Sequence, residues 1–405
     1  MRPGLIGCDQ NSFLKKCLLP KQYQWVALVL IMVLFFACSQ NTEEILTEEQ
    51  NTSKDYPIQP VDIRQVKLID SFRLPIVQRV QEKTIAFALE KCRQEGRFEN
   101  FLIAGGKLQG ETRGYMPFDD TDVYKIIEGA SNSLISSPNG QLDALLDSLI
   151  TIIQTGQEAD GYLTTWRTIN PAKPPAPWVK VVDGKRWESL EASHELYNAG
   201  HLYEAASVHF LATGKRNFLD IALKNADLMV NTFGPGKIEK VPGHQIIETG
   251  LIKLYRITKN QAYLDLARYF LDARGNFANG RPSFGPYSQD HLPLVQQDEV
   301  VGHALRAVYM YAGMTDVAAL YGDSAYEAAV DKLWQNMVSK KMYITGGIGA
   351  YTKGKHSARI MNCPIKQPIM KPAPPSGMSI GTIVCFSSRA TKNTTMLWSA
   401  PFTTA

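Results

Sequence analysis

Amphipathic segments of helical length follow one another in pairs through most of this 405-residue chain, and no other feature constrains its fold as strongly. From about residue 62 onward, apolar residues recur at helical spacing, and short turns often containing Gly separate the members of a pair. A weak repeat marks three of these turns: 213–215 leads into 218–222, 258–260 into 263–267, and 321–323 into 326–330. Helical hairpins that repeat in this way stack into a solenoid or close into an α/α toroid.

The apolar spacing predicts helices at 73–95, 120–137, 140–157, 188–213, 216–233, 244–257, 261–274, 300–320 and 323–340. Three longer segments between helices carry Gly, Pro, Trp and Tyr: 96–119, 158–187 and 275–299. Loops of this length in a compact domain are usually functional. In a toroid we expect them to line one mouth.

The segment 187–209 contains His194 and His201, seven residues apart. On a helix, this spacing brings the two imidazoles to nearly the same face. Either histidine alone is equally well explained as a satisfied side chain of a buried helix. Similar helices downstream, however, begin near the pairs Gly243-His244 and Gly302-His303. Polar residues near the starts of three helices predict one shared pocket.

The N-terminal region reads as an export signal. Lysines at 15, 16 and 21 precede the apolar run 25–37, which is followed by Cys38. The run is short for a transmembrane helix, and Ala37-Cys38 is similar to a bacterial lipobox in which the cysteine is lipidated. We therefore expect an exported protein, a periplasmic or outer-membrane lipoprotein of a Gram-negative bacterium. An uncleaved anchor is the alternative, and residues 39–61 read as a polar tether.

Cysteine usage limits the chemistry of the central region. Between Cys38 and residue 354 the only cysteine is Cys92. This span therefore contains no disulfide framework and no metal site built from cysteines.

The last segment, 355–405, differs from the rest of the chain. It contains none of the 39 acidic residues, six Lys or Arg, and six prolines, and it loses the helical spacing. Without its six positive charges, the formal net charge of +4 becomes −2 for residues 1–354. The basic character of the chain comes from this tail, so it gives no argument for nucleic-acid binding.

A shifted reading frame explains this tail. If each codon borrows the last base of the preceding one, permitted codons turn residues 354–364 into EAFGPDYELPN, and 367–377 into TAYNETCAAIG. Acidic residues and amphipathic spacing return together. We infer that one base was lost near the codon of Gly354; a genuine unusual tail is the alternative.

Six short motifs occur in order and together resemble the catalytic domain of glycoside hydrolase family 127, the β-L-arabinofuranosidase type. In this sequence they are the segments 118–123 (FDDTDV), 160–163 (DGYL), 194–201 (HELYNAGH), 242–245 (PGHQ), 301–304 (VGHA) and 345–349 (TGGIG). The resemblance covers about 62–354. It implies an all-α (α/α)6 toroid of helical hairpins, which we expect to be incomplete at its C-terminal end here, and β-sandwich domains, which we expect to be absent from this chain.

The resemblance also implies a retaining mechanism in which a zinc-bound cysteine is the nucleophile and a glutamate is first the acid and then the base. By the same resemblance His194, His244 and His303 bind hydroxyls of the furanose, and Gln245 and Tyr162 are further pocket residues. The expected partners are glycans that contain L-arabinofuranose or related pectic side chains.

The translated chain departs from this family at the catalytic residues. In the restored frame, GEAF carries the acid/base glutamate and ETC carries two zinc ligands, and the cysteine nucleophile lies beyond residue 405. We therefore expect no catalytic residue and no metal ligand in this chain, although the family uses zinc. Cys363 and Cys385 do not replace them, because both lie in the out-of-frame tail.

Two further motifs resemble ligand-binding sequences but lack the features that such sites need. The glycines at 346–349 lack the Lys-Ser/Thr of a phosphate-binding loop. Asp119, Asp120 and Asp122 resemble a metal-binding run, but they open a helix, where acidic residues are favoured. A non-catalytic carbohydrate-binding toroid and a helical protein-interaction solenoid remain as alternative functions.

Resequencing the genomic DNA across codons 340–410 tests the frame. We expect one additional base near codon 354 to restore a continuous reading frame with the GEAF and ETC motifs. A confirmed sequence with no such frame would contradict the shift and leave the tail as a genuine feature.

Overall fold

The computed structural model describes residues 54–181, 183–342 and 348. Cys38 and its predicted lipidation, the export signal, most of the tether and the segment 355–405 lie outside these residues. The regular secondary structure of the described part is helical, with isolated β-bridges in place of a sheet. None of the helices in this part is long and apolar enough to cross a membrane.

The described residues contain twelve α-helices. They are α1 (Arg73–Arg79), α2 (Ile85–Gln94), α3 (Arg97–Ala104), α4 (Asp120–Ser136), α5 (Gly140–Thr155), α6 (Thr165–Ile169), α7 (Glu195–Thr213), α8 (Asn217–Thr232), α9 (Ile247–Thr258), α10 (Gln261–Ala273), α11 (Ala304–Tyr321) and α12 (Ser324–Lys340). A π-helical turn, Val80–Thr84, joins α1 to α2, so 73–94 is one long helix with a local bulge.

These helices form the two concentric layers of an α/α toroid. The inner layer follows the order α2, α4, α7, α9, α11, each packed on the next, and the outer layer follows α3, α5, α8, α10, α12. Helices α7 and α11 bury residues all around their axes, as inner helices do, whereas α5, α8, α10 and α12 are more one-sided. The all-α toroid expected from the sequence is confirmed, and the described residues supply five of its hairpins.

The repeated turn motif has a simple physical basis. Gly214, Lys259 and Gly322 end inner helices in the left-handed conformation, which satisfies terminal carbonyl groups. In two of these turns, the next residue caps the outer helix: the side chain of Asn260 accepts from the backbone N–H of Ala262, and that of Asp323 accepts from the backbone N–H of Ala325. A hairpin turn is therefore encoded within three or four residues.

The starts of the inner helices differ from the sequence-based prediction. Helices α7, α9 and α11 begin at Glu195, Ile247 and Ala304, rather than at 188, 244 and 300. His194 is the residue before α7, with a left-handed backbone (φ 57°, ψ 18°), so it does not share a helical face with His201 as predicted. The two short helices α3 and α6 lie inside segments that were predicted to be loops.

Close backbone packing explains why glycine precedes two of these histidines. A Cβ atom on Gly243 would lie 2.2 Å from the carbonyl oxygen of Leu190, and one on Gly302 would lie 2.1 Å from that of Pro286. Gly302 also has a φ of +73°, which side chains rarely adopt. Each Gly-His pair is therefore a point where the chain crosses a neighbouring loop at contact distance just before an inner helix.

The acidic residues at the start of α4 have structural roles, but Asp119 does not cap the helix through a side-chain hydrogen bond as the prediction of capping residues required. Asp120 is buried and accepts hydrogen bonds from the backbone N–H (2.8 Å) and the hydroxyl (2.5 Å) of Thr165. Asp119 accepts from the backbone of Tyr115 and Met116 and pairs with Arg97 at 3.2 Å. The three-aspartate run therefore ties α4 to its neighbouring loops.

The first helix of the domain exposes apolar side chains. Phe72 is 74% exposed and Phe87 54%, and Ile69 and Ile76 are also exposed. Ile69 and Phe72 precede α1, whereas Ile76 lies in α1 and Phe87 in α2, and exposed apolar side chains of this kind promote association.

Two residues of the predicted tether contact the domain. Asp55 receives two hydrogen bonds from the guanidinium of Arg256, at 2.8 and 3.0 Å, and the hydroxyl of Tyr56 donates to Asp316 at 3.0 Å. Arg256 also lies 3.5 Å from Asp316, so these four residues form one polar cluster. Arg256 and Asp316 lie toward the C-terminal parts of α9 and α11, so the entering chain docks at that end of the inner layer.

Removing this cluster is expected to destabilise the domain. The substitution Arg256→Gln should lower the free energy of unfolding by about 1–2 kcal/mol, because it leaves Asp55 and Asp316 without their shared cation in a half-buried setting. Urea denaturation measures the change. Arg64→Gln is the matched control, because Arg64 makes an exposed pair with Asp62 and should have no measurable effect. Equal effects of the two substitutions would contradict a structural role for the cluster.

Candidate functional site

Three histidines meet where the inner helices begin. The ring centroids of His194 and His244 are 6.0 Å apart, and those of His244 and His303 are 5.5 Å apart. His194 is half-buried, and the other two are 8% and 5% exposed. The three helix starts therefore do bring their histidines together, as a cluster of imidazoles at the N-terminal end of the inner layer, and a ligand pocket there stays a prediction.

Tyr197 lies at the centre of this cluster. Its ring centroid is 4.3 Å from that of His244, 4.6 Å from His201 and 5.6 Å from His194. The ammonium group of Lys125 donates to the Tyr197 hydroxyl at 3.1 Å and lies 5.1 Å from the ring centroid. Tyr197 thus connects the histidines to a cation on α4.

Further aromatic rings complete the walls of the cluster. Phe118 packs on His194 at 4.8 Å, Tyr309 lies 6.1 Å from His244, and Tyr287 is perpendicular to His303 at 5.5 Å. Polar imidazole edges framed by aromatic rings are suited to a ligand that has both hydroxyl groups and apolar C–H faces.

Backbone contacts indicate which ring nitrogen of each histidine carries the proton. Nδ1 of His194 lies 2.6 Å from the carbonyl oxygen of Ala192, and Nδ1 of His244 lies 2.9 Å from that of Gln245. A carbonyl only accepts, so both Nδ1 atoms donate, and Nε2 is the acceptor in the neutral ring. In His303, Nδ1 accepts from the backbone N–H of Arg306 at 3.4 Å, which places the proton on Nε2.

The electrostatic setting keeps His244 neutral. Burial lowers its pKa well below the ordinary histidine value, and the charges of Arg306, His194 and His303 lower it further. Arg306 is 7% exposed; its guanidinium donates to the Ser288 hydroxyl at 2.6 Å and lies 4.8 Å from the Tyr287 ring. At neutral pH, His244 therefore offers a hydrogen-bond acceptor in a site that also carries a fixed positive charge.

A buried carboxyl group supports the strained start of α7. Glu195 is completely buried and accepts from the hydroxyl of Tyr162 at 2.7 Å and from that of Ser193 at 2.7 Å. The guanidinium of Arg167 lies 3.6 Å from it. These contacts stabilise the residues on both sides of His194, whose left-handed backbone costs conformational energy.

Tyr162 and Gln245, which the motifs place in the pocket, are packed into the protein. Tyr162 is 1% exposed, and its hydroxyl is used by Glu195. Gln245 is completely buried, and its amide donates to the carbonyl of Ser288 at 3.0 Å and to the side chain of Gln289 at 3.1 Å. Both side chains therefore stabilise the frame of the histidine cluster, and a direct contact with a ligand stays a prediction for each.

Several residues of the cluster were not singled out from the sequence as site residues. Tyr197, Phe118 and Lys125 lie within quoted motifs or a predicted helix, where the pattern indicates ordinary core or surface residues.

His201, which the sequence paired with His194, has no hydrogen bond to either ring nitrogen among the described residues and packs edge-on against Tyr197. Burial lowers its pKa well below the ordinary value, so it is neutral at neutral pH.

The described residues do not fit a zinc site built from thiolates. Their cysteine, Cys92, is 6% exposed in the apolar core, and burial raises the pKa of its thiol to about 12. A thiol of this kind is a poor metal ligand. Cys363 and Cys385 lie outside the described residues.

The chain is similar to known arabinofuranosidases. A family model described as beta-L-arabinofuranosidase, GH127 catalytic domain, matches residues 65–363. A non-reducing end beta-L-arabinofuranosidase of Bifidobacterium longum subsp. longum is 35% identical over 275 residues, a match that covers 63% of this chain and 41% of that protein.

Solved structures give the same result. A GH127 beta-arabinofuranosidase is 49% identical, with a TM-score of 0.70, over 76% of this chain and 48% of that one. A GH127 beta-L-arabinofuranosidase from Geobacillus stearothermophilus T6 is 38% identical, with a TM-score of 0.66, over 73% of this chain and 48% of that one. The chain thus spans less than half the length of each of these relatives.

The role of Tyr162 can be tested by removing its hydroxyl. We expect Tyr162→Phe to lower the free energy of unfolding by about 1–2 kcal/mol, because the buried Glu195 loses a donor. Urea denaturation measures this, and Tyr115→Phe is the control, since Tyr115 is 73% exposed. Unchanged stability together with weaker sugar binding would show instead that Tyr162 acts directly on a ligand.

Proposed function

Because the chain belongs to the GH127 family of β-L-arabinofuranosidase catalytic domains, we propose that residues 62–354 form the sugar-recognising part of such a glycosidase. The observation that carries this proposal is the convergence of His194, His244 and His303 at the mouth of the toroid. Its substrates on this proposal are glycans with terminal L-arabinofuranose or related pectic side chains. Export and lipidation at Cys38 belong to the same proposal.

The hydrogen-bonding character of the histidines supports sugar recognition. Sugar hydroxyls can donate to the Nε2 acceptors of His194 and His244, and the Nε2–H of His303 can donate to a sugar oxygen. Neutral imidazoles achieve this without burying a new charge. The aromatic rings of Phe118 and Tyr309 supply the apolar surface that the C–H face of a furanose needs.

We propose further that the translated chain binds sugar without hydrolysing it. The family mechanism needs a glutamate acid/base and a zinc-bound cysteine, and on our reading their codons follow residue 354 in another frame. Two observations support this. The family match ends at residue 363, within the segment that lacks acidic residues. The thiol of the described residues is buried and protonated.

Binding of methyl β-L-arabinofuranoside to the purified 1–405 chain tests the pocket. Ligand-observed NMR should detect binding, and His244→Ala should weaken it by about tenfold or more, because a hydrogen bond in a buried site is lost. Leu211→Ala is the control, since Leu211 is an exposed residue of α7 about 24 Å along the axis from its start. Equal affinity of His244→Ala and of the parent chain for the arabinofuranoside would contradict the proposed pocket.

The same preparations separate the competing functions. Release of arabinose by the 1–405 chain would overturn the loss of catalysis. Absence of any sugar binding by folded protein would favour a protein-interaction solenoid. Restoring the frame in the gene should produce hydrolysis that a metal chelator abolishes; sugar binding without hydrolysis by that longer protein would favour the non-catalytic binding toroid.

A further inference from the structure

A second group of polar residues lies between the start of α5, the C-terminal turns of α7 and the turn before α8, apart from the histidine cluster. Asp143 and Asp147 are four residues apart on α5, so both carboxylates lie on one face of that helix. His209 belongs to the last turns of α7, and Lys215 follows in the turn before α8. One atom from each of Asp143, Asp147 and His209 falls within 4.8 Å of the other two.

His209 gives this group its unusual character. The residue is 0% exposed, and neither ring nitrogen has a hydrogen-bond partner among the described residues. Phe218 packs perpendicular to the imidazole at 6.1 Å and closes one side of it. A buried imidazole nitrogen that lies beside two carboxylates without a hydrogen bond to either is a donor atom available to coordinate a cation.

The two carboxylates already converge on one cationic point. The ammonium group of Lys215 lies 2.7 Å from Oδ1 of Asp143 and 2.7 Å from Oδ2 of Asp147. The side chain of Lys215 is 37% exposed and both aspartates are about one-third exposed, so solvent and ions reach this point. Asn217 donates to Asp147 at 2.8 Å and orients its carboxylate.

We propose that Asp143, Asp147 and His209 form a binding site for a divalent transition-metal ion of the zinc type, in which Lys215 is a built-in competitor for the same position. One imidazole nitrogen and two carboxylate oxygens are a donor set that Zn²⁺ accepts in tetrahedral geometry with solvent as the fourth ligand. The nitrogen donor disfavours Ca²⁺ and Mg²⁺, which prefer oxygen ligands. On binding, the Lys215 side chain moves into solvent, which its long flexible stem and partial exposure permit.

This site is independent of the catalytic zinc of the family and of the proposed function. Its ligands contain no sulfur, and they lie on α5 and α7 rather than at the starts of the inner helices. Failure of sugar binding would not argue against this metal site, and failure of metal binding here would not argue against the proposed sugar pocket.

Competition by Lys215 makes the test sharp, because two substitutions should act in opposite directions. Titration of the metal-free 1–405 chain with Zn²⁺ by calorimetry should give one site, and Lys215→Met should tighten it by about tenfold or more, since a unit charge next to the ion is removed. Adding His209→Phe to Lys215→Met should weaken that binding by at least about tenfold. Circular dichroism checks the fold, and Asp147→Asn, a change at a partly exposed residue, serves as a second ligand variant if His209→Phe does not fold.

Substitution with Co²⁺ distinguishes this site from the cysteines of the chain. Thiolate ligands give Co²⁺ an intense near-ultraviolet charge-transfer band, whereas an imidazole and two carboxylates give only ligand-field bands in the visible region. We expect the visible bands alone, and their loss in Asp147→Asn. Absence of stoichiometric binding in Lys215→Met, or equal binding by Lys215→Met with and without His209→Phe, would overturn the proposal and identify the group as an ion-pair network only.

Discussion

The whole site depends on how closely the backbone packs just before each inner helix. At Gly243 and at Gly302, carbonyl oxygens of neighbouring loops come so near that a single methyl group would collide with them. This contact holds the chain against the preceding loop and directs the next residue, a histidine, toward the axis of the toroid. His194 reaches the same point in another way, through a strained left-handed backbone held by the buried Glu195. Two different local solutions thus bring three imidazoles together.

The sequence predicted the hairpins well because their signals are local. Helical spacing, left-handed residues and capping side chains such as Asn260 and Asp323 act within a few residues of the turn they form. The starts of the inner helices were predicted several residues too early, because their positions depend on contacts with distant segments. The hydrogen bond from the N–H of Gly243 to the carbonyl of Leu190 is one of these contacts, and no periodicity reveals it.

The same distinction applies to the candidate site. The Gly-His pairs correctly indicated that these helix starts lie close together, because glycine is needed for the backbone contact just before each histidine. Motif membership did not reveal side-chain direction: Gln245 points into a buried hydrogen-bond network, although it is next to His244. Tyr197 is the opposite case. From the sequence, an aromatic residue inside a helix is interpreted as a core residue, and only the fold shows that its ring is surrounded by histidines. On the proposed function, the residues that recognise the sugar precede residue 354, and the codons of the reactive residues follow it in another frame. The inferred loss of one base would therefore remove catalysis and leave sugar recognition.

The docking of Asp55 and Tyr56 has a consequence for access to the toroid. Asp316 lies twelve residues after the start of α11, which corresponds to about 18 Å along the helix axis from His303. The chain therefore enters the domain at one end of the barrel, and the imidazoles lie at the other. A large ligand could therefore approach the histidines without meeting Asp55 and Tyr56.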